Sequence, residues 1–134
     1  MAQVTPPRPA GSLRLLVAED EPHIRRILVT ILETAGFRVD VVHSGVEAME
    51  RLEGPNPYDM VLTDLLMPEL NGLELLEGIR GLPSRQGLPV IVLTAKGQDA
   101  DRTRAFALGA ADFVTKPFSP RKLLKRVDEI LGQS

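Results

Sequence analysis

Three acidic side chains, one lysine and one threonine stand out, because each follows or closes a short apolar segment and their chemistries complement one another. Glu19 and Asp20 follow Leu15-Leu16-Val17-Ala18, and Asp64 follows Met60-Val61-Leu62-Thr63. Thr94 closes Val90-Ile91-Val92-Leu93, and Lys116-Pro117 follows Asp112-Phe113-Val114-Thr115. Gathered in one place, three carboxylates repel one another and raise some of their own pKa values. A divalent cation relieves that repulsion. Oxygen-only ligation with few carboxylates suits Mg²⁺, which keeps several waters and shares a phosphate oxygen. A lysine ammonium and a threonine hydroxyl are suited to the remaining phosphate oxygens. A carboxylate can itself be the nucleophile, and the product is then an acyl phosphate.

Taken singly, each residue has a plainer explanation. Glu19-Asp20 would cap a helix and favour its dipole. Asp64 would be a turn residue, Thr94 a β-branched strand end, Lys116 a solvated charge and Phe113 ordinary core. Those explanations fail jointly, because they do not say why four segment ends carry matching chemistry. A frame is needed that brings the four ends together.

The alternation of segments supplies one. The three continuous apolar runs fit strands buried on both faces of a parallel sheet. Phe37-Arg38-Val39-Asp40-Val41 alternates strictly and Asp112-Phe113-Val114-Thr115 is short and mixed, so both suit the edges. Between them, Ile24, Ile27, Leu28, Ile31, Leu32 and Ala35 form a helical stripe stopped by Gly36 in a C-cap position. Ser44 with Glu47 reads as a capping box for a second helix, and Asn71 with Glu74 as a weaker one for a third. A fourth helix is expected from about Ala100 to Leu108, ending at Gly109. Its stripe is small (Ala100, Thr103, Ala107, Ala110), with Phe106 as the one large anchor. The fifth opens with Ser119 as N-cap and Pro120 at the first helical position, and turns Leu123, Leu124, Val127, Ile130 and Leu131 inward.

Strict alternation predicts an α/β fold: a doubly wound, five-stranded parallel sheet with right-handed crossovers, flanked by five helices. The division into centre and edges favours the order 2-1-3-4-5 of flavodoxin-like sheets, in which ligands sit outside the carboxyl ends of the strands. All four chemically marked ends then lie on one rim.

Composition narrows the classes. The 134 residues hold one domain and one core, expected over residues 12–134. Residues 1–11 contain three prolines and no apolar signal segment, and read as a flexible lead-in. The net charge of −2, from 16 basic and 18 acidic residues, leaves no basic footprint for nucleic acid or an anionic membrane. The apolar runs are too short to span a bilayer. Without cysteine there is no disulfide or thiolate chemistry, and cytoplasmic residence is expected. After Leu131 only Gly132-Gln133-Ser134 remain, so the chain is expected to be either a single-domain protein, which this bare ending slightly favours, or a domain cut from a longer chain, which would end in the same way.

The segments Val17-Ala18-Glu19-Asp20-Glu21-Pro22, Tyr58-Asp59-Met60-Val61-Leu62-Thr63-Asp64-Leu65-Leu66-Met67-Pro68, Leu93-Thr94-Ala95 and Gly109-Ala110-Ala111-Asp112-Phe113-Val114-Thr115-Lys116-Pro117-Phe118 resemble the response-regulator receiver family of two-component signalling. The resemblance covers about residues 12–131. It implies that Asp64 is the phosphoacceptor, served by a sensor histidine kinase or phosphotransfer protein. It implies Mg²⁺ held by Asp20 directly, by Glu19 mainly through water, by Asp64 and by the backbone carbonyl of Leu66. Thr94 and Lys116 would bind the phosphoryl group, and Ala95 would leave the site open to a donor. Thr94 and Phe113 would form the switch, and the Lys116–Pro117 peptide would be cis. The implied protein is a signalling module, not an enzyme in the usual sense. Its self-catalysis is limited to Mg²⁺-dependent phosphorylation from small donors and autodephosphorylation. Its output is a change in the face built from helix four, strand five and helix five, passed to a downstream protein or effector domain.

Rival functions meet specific obstacles. A flavin-binding module of similar fold needs a phosphate-cradling loop after strand one, where Glu19-Asp20-Glu21 would repel the phosphate. A haloacid-dehalogenase-like phosphatase needs a second Asp two residues after the nucleophile, and that position is Leu66. A P-loop enzyme needs Gly-x-x-x-x-Gly-Lys, which is absent. An inert receiver would have lost Asp64 or Lys116. Leu66 and Lys96 stand two residues after Asp64 and Thr94, and because Leu66 cannot orient a water, slow autodephosphorylation is expected. In the family's winged-helix transcription-factor branch the output face pairs symmetrically through salt bridges. Here Arg102 faces Lys122 in place of an acidic partner and leaves Asp112 with Arg126, so a monomer or weak dimer is expected.

Overall fold

The apolar runs become the middle of a five-stranded parallel sheet. Its strands are β1 (Arg14–Ala18), β2 (Arg38–Val42), β3 (Met60–Asp64), β4 (Val90–Thr94) and β5 (Asp112–Thr115), in the order β2-β1-β3-β4-β5. The computed structural model describes residues 13–95 and 98–132; the expected lead-in over residues 1–11, and Lys96, lie outside the described residues. Every position of β3 and β4 is buried, whereas β2 and β5 carry exposed ones, as their mixed sequences predict. The chain runs from β1 outward to β2 and then back across to β3. The sheet therefore reverses its order between β1 and β3, where a ligand crevice is expected.

Successive residues of a strand point to opposite faces, and the core divides accordingly. Leu15, Val17, Met60, Leu62, Ile91 and Leu93 face α1 (Pro22–Thr34) and α5 (Pro120–Leu131), where they meet Leu28, Leu32, Leu123 and Val127. Leu16, Ala18, Val61, Val90 and Val92 face α2 (Gly45–Glu53), α3 (Gly72–Arg80) and α4 (Asp99–Ala107), against Ala48, Leu52, Leu75, Leu76, Ile79 and Ala105. Among the described residues no helix is long and apolar enough to cross a membrane.

Three local expectations are corrected. In α1 the buried positions are Leu28 and Leu32, while Ile27 and Ala35 are exposed. Each step along a helix turns about 100°, so Ile27 falls on the flank of the stripe. Phe106 is not the anchor of α4 but is 42% exposed; the buried residue is Ala105, whose small side chain lets the helix lie close to the sheet. At α2, Ser44 accepts from the Glu47 amide as expected, but the Glu47 carboxylate reaches the amide of His43, one residue before the cap. A complete reciprocal box is found at α3, where Asn71 Oδ1 accepts from the Glu74 amide and Glu74 Oε1 from the Asn71 amide, at 2.9 and 3.0 Å.

Candidate phosphoryl site

The site begins with what frees its carboxylates. Glu21 is the N-cap of α1, and its side chain accepts from the amides of His23 (3.0 Å) and Ile24 (2.8 Å). These bonds lower its pKa and relieve Glu19 and Asp20 of the capping role. The backbone of the acid pair is held from both sides. The Glu19 amide donates to the Val42 carbonyl at 3.2 Å, and Arg25 Nη1 donates to the Glu19 carbonyl at 3.0 Å.

Asp64 ends β3, and its surroundings leave no room for adjustment. The Thr63 hydroxyl donates to the Asp64 carbonyl at 3.0 Å, and the Leu65 amide to the Leu93 carbonyl at 2.8 Å. The loop then returns so closely that the Gly72 amide bonds the Leu65 carbonyl at 2.8 Å. A Cβ on Gly72 would stand 2.5 Å from the Asp64 carbonyl oxygen, and one on Gly45 would run into the carbonyl of Leu70. Both helices that flank this loop thus begin with glycine because its backbone lies against them. Between them Glu69 takes a φ of 70°, in a turn closed by the Leu70 amide on the Pro68 carbonyl.

Register brings in the remaining groups. Thr94 pairs with Thr115 across β4 and β5, and the Lys116 amide donates to the Thr94 carbonyl at 2.7 Å. The Lys116–Pro117 peptide is cis. Lys116 Nζ lies 2.8 Å from Glu19 Oε1 and 3.4 Å from Asp64 Oδ2. Carboxylate oxygens of Glu19, Asp20 and Asp64 all lie within 4.8 Å of one another. Thr94 is buried, Ala95 beyond it is exposed, and Leu66 is 59% exposed. Phe113 is not on the rim: it pairs with Val92, two residues back, and is buried.

Electrostatics sets the character of the cluster. The Glu19 side chain is fully buried, and burial pushes its carboxyl up to about 7; the Lys116 hydrogen bond opposes this and the Asp64 charge adds to it. Three carboxylates thus face one ammonium in a partly dry site, an arrangement that a further positive charge would relieve. The donor set is all oxygen, with Asp20 exposed and accessible, so the residues fit a hard divalent cation that retains water.

Several contributors escaped the sequence reading. Thr63, Arg25, Gly45 and Gly72 carry no chemistry of their own, and they act by supporting backbone that does. Arg25 alone left a signal, since six residues after Glu19 it falls on the first helix with its side chain free to reach back. The two glycines could be read only as turn or cap residues, because the backbone they approach is distant in sequence.

A model of the response regulator receiver domain matches residues 15–128. The transcriptional regulatory protein CpxR homolog of Haemophilus influenzae is 40% identical over 121 residues, covering 90% of this chain and 51% of that protein. The chain spans about half the length of the curated relatives it matches. Among solved structures, a response regulator from Chloroflexus aurantiacus superposes with a TM-score of 0.84 at 33% identity, covering 90% of this chain and 98% of that one. The receiver domain of a sensor histidine kinase from Pseudomonas aeruginosa, which has a magnesium ion coordinated in its active site cleft, superposes with a TM-score of 0.82 at 29% identity and the same coverage. None of these findings supports a flavin-binding or dehalogenase-like reading. With the fold, the strand order and the acid cluster in agreement, this chain belongs to the response regulator receiver family of two-component signalling.

Proposed function

We infer that Asp64 accepts a phosphoryl group from a histidine kinase or phosphotransfer protein. The observation that carries this is the position of the Asp64 carboxylate, within 4.8 Å of the Glu19 and Asp20 oxygens and 3.4 Å from Lys116 Nζ. An Asp64 oxygen attacks phosphorus in line with the donor; the new O–P bond forms as the donor's P–N bond breaks, and the freed imidazole takes up a proton. Lys116, hydrogen-bonded to Glu19 and ion-paired with Asp64, compensates the charge gathering on the phosphoryl oxygens, and the Thr94 hydroxyl donates to one of them. Ala95 is too small to obstruct the donor. Asp20, Asp64 and the Leu66 carbonyl would hold Mg²⁺, with Glu19 behind them through water, and the ion would supply positive charge to the phosphoryl oxygens. Hydrolysis later returns Asp64 to a carboxylate and releases phosphate. The exposed apolar Leu66, unable to orient a water, keeps that step slow.

Output follows from Thr94 moving toward the phosphoryl group, with Phe113 following and the α4-β5-α5 face changing shape. That face hands the signal to a downstream protein or to an effector domain, in the cytoplasm. Incubation with acetyl phosphate and Mg²⁺ should give a hydroxylamine-labile adduct of one phosphoryl mass. It should nearly vanish in excess EDTA and be absent from Asp64→Ala. An Asp64→Ala protein that gains the mass at the wild-type rate refutes the assignment.

A further inference from the structure

Ala105 is the one buried residue of α4. A helix with so little apolar contact depends on its polar attachments. At its C-terminal end these come from Arg80 of α3, whose Nε donates to the Leu108 carbonyl at 3.2 Å and Nη2 to the Gly109 carbonyl at 2.8 Å. The Nη1 of the same guanidinium donates to the Leu88 carbonyl at 2.9 Å, which ties that end of α4 to the chain entering β4.

The first half of α4 is attached differently. Arg102 Nη1 donates to the Phe113 carbonyl at 3.3 Å, and its guanidinium carbon stands 5.4 Å from the centre of the Phe106 ring and 5.8 Å from that of Phe113. One planar cation therefore contacts two rings. Phe106 lies one turn along the same helix, and Phe113 lies in β5 at 4% exposure. The contact also explains why Phe106, expected in the core, lies outside it. A guanidinium is planar and weakly hydrated, so it can stack on a ring while its edge still donates a hydrogen bond.

We propose that Arg102 is a positioning residue for Phe113. The guanidinium, braced from outside by Phe106, holds the Phe113 ring in its buried rotamer. It also carries any change of that rotamer into the first half of α4, which pivots on the end fixed by Arg80. The signalling consequence rests on the switch role given to Phe113 above; the clamp itself exists without phosphorylation and is measured without it.

Fluorine NMR of protein labelled with 4-fluorophenylalanine tests the clamp directly. The chain has four phenylalanines, Phe37, Phe106, Phe113 and Phe118, so each resonance is assigned from single Phe→Leu variants. In Arg102→Ala the exposed rotamer of Phe113 should rise in population by roughly tenfold. Its resonance should move toward the unfolded position while those of Phe37 and Phe118 stay. Arg102→Met keeps the length of the side chain without its charge and should behave as Arg102→Ala. Arg102→Lys keeps a cation over the rings and should retain at least half of the wild-type displacement. A Phe113 resonance unmoved in Arg102→Ala, or fully retained in Arg102→Met, overturns the proposal; if Arg102→Ala does not fold, the Met and Lys pair decides the question in the same way. Failure of the Asp64 assignment would appear instead as a wild-type protein that takes no phosphoryl group, with the fluorine spectra unaffected.

Discussion

Glu19 sits in the place least hospitable to a carboxylate, fully buried and beside Asp64, with Lys116 Nζ at 2.8 Å as its compensation. Its carboxyl is pushed up to about 7 from an ordinary 4.5, with burial the first cause. The folded protein therefore holds a proton between these values that the unfolded chain has released, and stability must fall as pH rises through that window. Denaturant midpoints measured in EDTA from pH 4.5 to 7.5 should show this fall relative to Glu19→Gln, whose neutral amide removes the titration. A wild-type minus variant difference that does not change with pH would refute it. The residue types and their order are legible in the sequence alone, because chemistry is written in side chains. Their partition is not. That Lys116 lies closer to Glu19 than to Asp64, and that Glu19 is the drier of the two adjacent acids, depends on how β1, β3 and β5 pack.

The strands are readable because a run buried on both faces must be continuously apolar, as Leu15-Leu16-Val17-Ala18 is in β1, Met60-Val61-Leu62 in β3 and Val90-Ile91-Val92-Leu93 in β4. The sequence places helix α4 within a residue at each end but not its facing: one large apolar side chain suggests that it points inward, whereas Phe106 lies exposed beside the Arg102 guanidinium. The close approach of the β3–α3 loop to its neighbours was invisible for a different reason, since nothing in a glycine says which distant backbone it admits. Gly72 makes the point testable. A Cβ there, 2.5 Å from the Asp64 carbonyl oxygen and 3.0 Å from the Leu65 Cα, forces backbone to move, and overpacking of this kind costs about 1–3 kcal/mol. Gly72→Ala should lower the unfolding free energy measured by denaturant titration by that amount and slow phosphorylation by acetyl phosphate. Gly87→Ala, with nothing within 4 Å, should do neither. Equal effects from the two substitutions would show that the loss of glycine, and not the contact with Asp64, is responsible.

For the molecule as a whole, the question is whether the α4-β5-α5 face pairs with a second copy of itself. A symmetric pairing through this face needs its charges available to the partner, and here they are engaged within the chain. Arg126 Nε lies 2.9 Å from Asp112 Oδ2, its Nη2 donates to the Ala111 carbonyl at 3.1 Å, and Glu129 is 3.9 Å from its Nη1. Arg102 is bonded to the Phe113 carbonyl, and the residue expected to meet it across such an interface, Lys122, carries the same charge. Pairing would break the Arg126–Asp112 bridge to remake it between copies, with no gain in number, and would bring two cations together. Exposed charge pairs are worth only about 1 kcal/mol or less each, so the face is not strongly repulsive; it merely lacks the attractive set that a symmetric dimer uses. The beryllofluoride-activated protein should therefore sediment as a single species at the 14.7 kDa of one chain, in Mg²⁺ and at moderate salt. Arg126→Glu should leave that behaviour unchanged. A tight dimer that this substitution dissociates would mean that Arg126 abandons Asp112 of its own chain on activation, and that the face is made for a second copy and not for a different protein.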